Sequence, residues 1–344
     1  MTTGAPVLAA GLSGLPAQLA EIFYFIVLPI VLLAGVGFLL QRGLGLDMAT
    51  LTRLNFYFTM PGMAYSAIVT SRVTPADVGT VVTFSLLMMA CLAAVTLLTA
   101  VVRKVPHSHR NALLMTVMFY NSGNYGLPLQ KFAFRAEGRG NDAFDLQIFV
   151  MLTQNIVNFT LGIWLAATGQ NRVPWRKSLL HVVKFPPIYA LTAGLLTVQL
   201  RRWLGESAPS VAVALRPFWD AVQYLRDAFI AVALCTLGAK LALVRRDTHA
   251  YPVRLSVVLR LLVAPCIGLA LTWLLGLEGF LAQVVLISTC TPTAINVMLL
   301  CLEFDNHPDY AARAVFYSTL FSPITVTIVI FLAKGGFLPH LAMN

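Results

Sequence analysis

The stretch Asn121-Ser122-Gly123-Asn124-Tyr125-Gly126-Leu127-Pro128 interrupts an apolar run of membrane length with amides, hydroxyls, two glycines and a proline. Glycine removes side chains and proline removes a backbone donor, so a helix unwinds here. Unwound backbone at membrane depth persists only where it is buried in protein or lines a wet cavity. Its N–H groups, and the positive end of the helix that restarts, suit a small anion. A second apolar run breaks at Thr289-Cys290-Thr291-Pro292-Thr293, with Asn296 one turn on. Between the breaks lie Gln154, Asn155 and Asn158; Gln154 and Asn158 are four apart and share one helix face. Ser318 and Ser322 repeat that spacing.

These residues could equally be a proline kink and hydrogen-bonding glue between helices, worth roughly 0.6–2 kcal/mol each. Two matched interruptions favour a binding site, and for Ser318 and Ser322 the readings balance. The expected substrate-binding set is therefore Asn121, Ser122, Asn124, Tyr125, Gln154, Asn158, Thr291, Pro292, Thr293 and Asn296. Gly123, Gly126, Pro128 and Pro61 are expected to shape the crossing. Arg260 lies about two turns inside an apolar run, where it either snorkels to the cytoplasmic side or acts as counter-ion to the substrate; snorkelling is the expectation. Asp220, Arg226 and Asp227 sit near the outer end of another run and are expected to snorkel or to pair.

What is missing narrows the chemistry. GxxxxGK[ST], HExxH and GxSxG do not occur, so neither an ATP-driven engine nor a hydrolase is indicated. The five cysteines form no CxxC or Cys/His spacing, so no metal and no disulfide framework is expected, and no cofactor either. No carboxylate, lysine or histidine lies in the middle of the interrupted runs or the runs that follow them. The chain is not expected to be an enzyme.

The elements that must hold these residues are membrane helices. Of 344 residues, 58% are hydrophobic and 11% charged, against roughly 25% charged in soluble domains. Charge-free blocks cover 22–40, 78–102, 111–130, 146–171, 279–302 and 314–333, each able to cross a roughly 30 Å hydrocarbon core. The alternation of a β-barrel is absent. About ten spans are expected: 22–40, 50–69, 78–102, 109–135, 144–168, 183–200, 218–241, 253–277, 279–302 and 310–333. Of the 24 Lys and Arg, fourteen fall in one set of alternate loops and seven in the other, with Arg216, Arg226 and Arg260 left to the helices. The richer set should face the cytoplasm, which places both termini outside. The net charge of +10 then reads as topology and not as a nucleic-acid surface.

Pro128 precedes Asn158 by the same 30 positions that separate Pro292 from Ser322. This suggests two five-helix halves, 1–168 and 183–344, joined by a cytoplasmic linker at 169–182. An odd number of crossings inverts one half against the other, the architecture of many secondary carriers.

Several stretches resemble the auxin efflux carrier family. They are Leu28-Pro29 through Gly35 to Leu40, Leu54 to Pro61, Asn121 to Leu129 with its Gly-Leu-Pro-Leu ending, Arg260 to Pro265, and Glu303 to Asp309 followed by Ser322 to Thr325. The resemblance runs from about residue 20 to 333. It implies ten helices in two inverted repeats within the bile-acid/auxin carrier-like superfamily. Broken helices four and nine would cross centrally, with spans 1, 2, 6 and 7 as scaffold and 3–5 and 8–10 as crossover domain. It further implies alternating-access carriage of a small organic anion: auxin in plants, dicarboxylates such as malate or malonate in bacterial relatives. Tyr120 stands where plant carriers have proline, so auxin itself is not implied.

A bacterial inner-membrane carrier in the lipid bilayer, a homodimer through its scaffold, is the expectation, with H+ or Na+ as the open choices of coupling ion. A sodium-coupled symporter of the bile-acid type and a transporter-fold receptor are the alternatives.

Overall fold

The computed structural model describes residues 14–167, 186–204, 213–244, 252–335 and 338–341. The expected linker at 169–182 lies outside them. The described residues are helical throughout apart from turns and one isolated β-bridge. Five continuous helices are long and apolar enough to cross a membrane: α1 (Leu15–Leu44), α3 (Pro75–Val102), α6 (Gly140–Ala166), α9 (Val253–Leu274) and α12 (Pro308–Lys334). Between them lie α2 (48–70), α4 (His107–Met118), α5 (Gly126–Ala133), α7 (Pro186–Leu204), α8 (Arg216–Ala242), α10 (Gly279–Thr289) and α11 (Ile295–Glu303).

Helix starts follow local chemistry. Asp47 accepts hydrogen bonds from the backbone N–H of Ala49 (3.2 Å) and Thr50 (3.0 Å), capping α2. Thr74 and Asp77 form a reciprocal capping box ahead of α3, with Pro75 in its first turn. Inside α1, α2 and α9 one wider turn occurs just ahead of a proline. Leu28 N–H donates to Phe23 C=O, Met60 to Asn55 and Ala264 to Leu259, each closing an i→i−5 turn one residue before Pro29, Pro61 and Pro265. A proline ring clashes with the carbonyl four residues back and offers no donor, and a π-type turn relieves both.

The chain divides into two compact units. The smaller comprises 33–73 and 183–242, that is the second half of α1 with α2, α7 and α8. Its packing depends on bare backbone: a Cβ at Gly238 would run into the main chain of Ala34, and one at Gly37 into that of Cys235. Arg226 is buried and donates to the hydroxyls of Ser66 (3.3 Å) and Thr70 (3.0 Å) on α2, while Asp220 faces Arg216 at 3.9 Å on the exposed side. So Arg226 is held by hydroxyls across a helix interface, and Asp220 pairs outward.

The larger unit comprises 1–32, 74–182 and 243–344. It holds the first half of α1 and all of α3–α6 and α9–α12. Both helix interruptions lie in it, at 119–125 between α4 and α5 and at 290–294 between α10 and α11. Pro61 belongs to the smaller unit, where it ends the wide turn of α2. It shapes that helix.

A candidate site where two broken helices pair

The interruptions meet. Phe119 turns to an extended conformation (φ −96°, ψ 117°), as does Ala294 (φ −67°, ψ 136°), and the two segments form a short antiparallel bridge, Tyr120 opposite Thr293. Asn121 N–H donates to Pro292 C=O at 2.7 Å, and Ala294 N–H to Phe119 C=O at 3.0 Å. Backbone that the two helices release is thus partly taken up by each other. Pro292 suits this place because a bridge residue facing outward needs no donor and because proline drives its predecessor out of helix. Pro128 has another role: it is the third residue of α5, where a missing donor costs nothing, so it starts the helix and does not break the previous one.

Side chains fasten the bridge. Thr293 N–H donates to Ser318 Oγ (3.1 Å), and its hydroxyl donates to Thr116 C=O (2.8 Å). Ser256 Oγ donates to Thr116 Oγ1 (2.9 Å), which also lies 3.1 Å from Tyr310 Oη. Asn296 Nδ2 donates to Asn155 Oδ1 (3.0 Å), tying α11 to α6. Ser322 Oγ donates to Thr319 C=O (2.9 Å), the carbonyl that Pro323 leaves without its helical donor, and lies 3.1 Å from Tyr125 Oη. Thr291 Oγ1 donates locally to Ser288 C=O (2.9 Å).

Two glutamines shape the turn at 122–125. Gln147 Nε2 donates to Ser122 C=O (2.9 Å), and Gln130 Nε2 donates to Gln147 Oε1 (3.3 Å) and Val284 C=O (2.7 Å). A Cβ at Gly126 would meet Gln147 Nε2 at 2.5 Å, so that glycine makes room for the amide that holds the turn. At Gly123 the nearest obstacle is Met151 Sδ at 3.2 Å, a tight but softer contact.

Arg260 corrects the snorkelling expectation. Its side chain is fully buried (0% exposed). One guanidinium nitrogen donates to Val117 C=O (3.0 Å) and another to Thr289 C=O, and the group lies over the Tyr120 ring, 4.8 Å from its centre. Val117 and Thr289 are in the last turns of α4 and α10, whose final carbonyls have no helical donors. A single cation therefore satisfies the negative ends of both half-helices. These two bonds use only part of its donor set, and Nε has no protein partner. Among the described residues no carboxylate pairs with it.

The structure brings Asn121, Ser122, Asn124, Tyr125, Thr291, Pro292, Thr293 and Asn296 into the two bridged interruptions and the turns beside them, all buried or part-buried. Gln154 on α6 reaches it beside Tyr120, and Asn158 one turn further along lies against Gly162. Sequence reading passed over Tyr120, Ser288, Gln130, Gln147, Thr116 and Ser256. Gln130 and Gln147 carried a signal, as amides in apolar helices; the hydroxyl residues carried none, since such groups commonly bond back to their own helix.

Several buried polar atoms at the crossing have no protein partner: Tyr120 Oη, Asn121 Nδ2, both amide atoms of Gln154, Asn158 Oδ1, Ser288 Oγ and Arg260 Nε. Buried polar groups are nearly always satisfied, so a cluster of unsatisfied ones marks a place for water or ligand.

Comparison with known proteins agrees with a membrane carrier. A family model described as membrane transport protein matches residues 22–174 and 170–330. Auxin efflux carrier component 1 of Arabidopsis thaliana is 26% identical over 161 residues, which is 46% of this chain and 24% of that protein. An uncharacterized transporter of Methanothermobacter thermautotrophicus is 22% identical over 313 residues, 88% of this chain and 95% of that one. The chain thus spans about a quarter of the plant carrier and nearly all of the archaeal one. With two broken helices paired inside an all-helical membrane protein, the chain belongs to the membrane transport protein family of auxin efflux carriers, and it is a transporter and not an enzyme.

Proposed function

We propose that the protein is a secondary carrier that moves a small organic anion, a carboxylate such as a dicarboxylate or an auxin-like acid, by alternating access. The observation that carries this reading is the pairing of two interrupted helices around buried polar atoms that lack partners. Broken helices at the midplane are the usual binding element of such carriers. On this reading the chain is two inverted five-helix halves. The larger unit carries the substrate, and the smaller serves as scaffold and as the surface of a homodimer in a bacterial inner membrane.

Local geometry supports a two-fold relation of the breaks. Exchanging the halves maps Tyr120 onto Thr293, because each donates and accepts through the residues on either side in the same way. That correspondence differs by nine residues from matching Pro128 to Pro292, and it equates the ends of α4 and α10, both of which Arg260 caps. Anion preference follows from charge: the one formal charge at the crossing is positive and has no carboxylate beside it among the described residues.

The test is electrical. Purified protein is reconstituted into liposomes on a solid-supported membrane and challenged with malonate, malate and indole-3-acetate, with and without imposed H+ or Na+ gradients. Substrate-dependent currents or labelled uptake that vanish in protein-free liposomes are expected. Binding without flux in every arm would point to a receptor and end the carrier reading.

A further inference from the structure

Away from the crossing, two imidazoles meet face to face. The rings of His109, in the first turn of α4, and His307, just ahead of α12, stack with centroids 3.7 Å apart and planes 24° from parallel. Both residues are part-buried. His307 holds the left-handed conformation (φ 50°, ψ 54°), and Asp305 has φ 51°, a region that residues other than glycine enter at a cost. His307 is also the N-cap of α12, yet its side chain caps nothing. Between these two residues Asn306 anchors the loop. Its Nδ2 donates to the C=O groups of Leu165 and Ala166 at the end of α6 (3.3 Å each), and its N–H to Cys301 C=O (2.8 Å). The strained backbone around that anchor sets one ring over the other, while Ser108 Oγ lies 3.1 Å from His109 Nδ1.

Neutral imidazoles stack well, and a protonated ring over a neutral one still attracts; two protonated rings in face contact repel. The elements packed at this end carry the cations Arg103, Lys104, His107, Arg110, Arg254 and Arg313. Their carboxylates are Glu303, Asp305 and Asp309, and among the described residues none of these forms an ion pair with either ring. Nothing there offsets a second imidazolium. A metal ion is a poor fit, because rings meeting face to face do not turn their nitrogens toward one point and no third ligand joins them among the described residues.

The pair is joined to the crossing by direct contacts. Tyr310 sets its ring edge-on to His109 (6.3 Å between centroids, 78°), and its hydroxyl lies 3.1 Å from Thr116 Oγ1. Thr116 C=O accepts the Thr293 hydroxyl at the bridge. We propose that His109 and His307 form a proton-sensitive joint at the end of the molecule that loop charge assigns to the cytoplasm: with at most one proton they clamp α12 to α4, and a second proton parts the rings, loosens the Tyr310–Thr116 support of the bridge and slows transport. The effect on flux rests on the carrier reading above; the joint itself does not.

The experiment compares purified full-length wild type, His109→Phe, His307→Asn and His107→Gln. Phenylalanine keeps a ring face that takes no proton, asparagine tolerates the left-handed conformation, and the His107 variant leaves the pair intact. Melting temperatures are taken at pH 7.5 and 5.5, and uptake of malonate, malate and indole-3-acetate into liposomes is followed with the pH of each side set separately. If the stacked pair resists its second proton, the unfolded chain binds more protons than the folded one at pH 5.5, so acid destabilises the native state. The fall in melting temperature from pH 7.5 to 5.5 should therefore be smaller by roughly 2–4 °C in His109→Phe and His307→Asn than in wild type and His107→Gln. Uptake relative to each protein's own rate at pH 7.5 should drop at least threefold more in wild type than in the two pair variants. A merely structural stack would shift melting equally at both pH values. If His109→Phe does not fold, His307→Asn decides. Equal acid responses in all the folded proteins would overturn the joint and leave the carrier reading in place, and a pair-dependent melting response with identical flux responses would overturn its link to the bridge. If wild type transports none of the acids, the carrier reading falls, and the melting comparison still decides the joint.

Discussion

Replacing Arg260 by lysine isolates what its fork does. A lysine at this depth keeps the formal charge and a burial cost at least as large, since ammonium is the more strongly hydrated cation. What changes is geometry: one ammonium cannot reach the carbonyls of Val117 and Thr289 together and also lie flat on the Tyr120 ring. One charge-assisted bond, about 1.5–3 kcal/mol, and a good part of a stacking term near 1 kcal/mol are lost. The expected destabilisation is roughly 2–4 kcal/mol, a fall in melting temperature on the order of 4–8 °C. Thermal unfolding of the detergent-purified variant, followed by intrinsic fluorescence and by size exclusion, measures it. The cycle with Tyr120→Leu should show coupling of about 0.5–2 kcal/mol. An arginine that merely snorkelled would accept lysine without loss. A melting temperature within a degree of wild type would therefore refute the capping role.

Other perturbations address separate parts of the structure. Gly238→Val should abolish recovery of monodisperse protein, because its Cβ meets the Ala34 backbone, whereas Gly35→Ala, with open space around it, should behave as wild type. Pro292→Ala should still insert and purify but lose transport, since α10 gains a residue free to continue the helix and so to compete with the bridge to Tyr120. Single cysteines at Arg176 and Arg245, outside the described residues, should react with impermeant reagent only from the cytoplasm, and one at Gly138 only from outside; reversed labelling would overturn the orientation drawn from loop charge.

The sequence made the helices legible because the bilayer leaves little choice: apolar blocks of sufficient length must be helical. Both interruptions were legible too, since glycine and proline act locally. Tertiary partners were not. Arg260 reads as a snorkelling residue because hydropathy is one-dimensional; only the fold brings Val117 and Thr289, 143 and 29 residues away, to its fork. Pro61 and Pro128 looked like parts of one device, yet one ends a wide turn in the smaller unit and the other begins a helix in the larger. Proline type alone does not say whether a helix is stopping or starting.

Access to the crossing tests the alternating-access account most directly. Ala294 lies in the second unwound segment, is part-buried, and donates to Phe119 C=O only through its backbone, so cysteine can replace it with the bridge intact. In a background with the five native cysteines removed, Ala294→Cys should react with a membrane-impermeant maleimide from either face of oriented vesicles, in proportions that shift when substrate or an ion gradient is applied. Labelling confined to one face under every condition, in protein that still transports, would contradict the crossing as the place where the substrate changes sides.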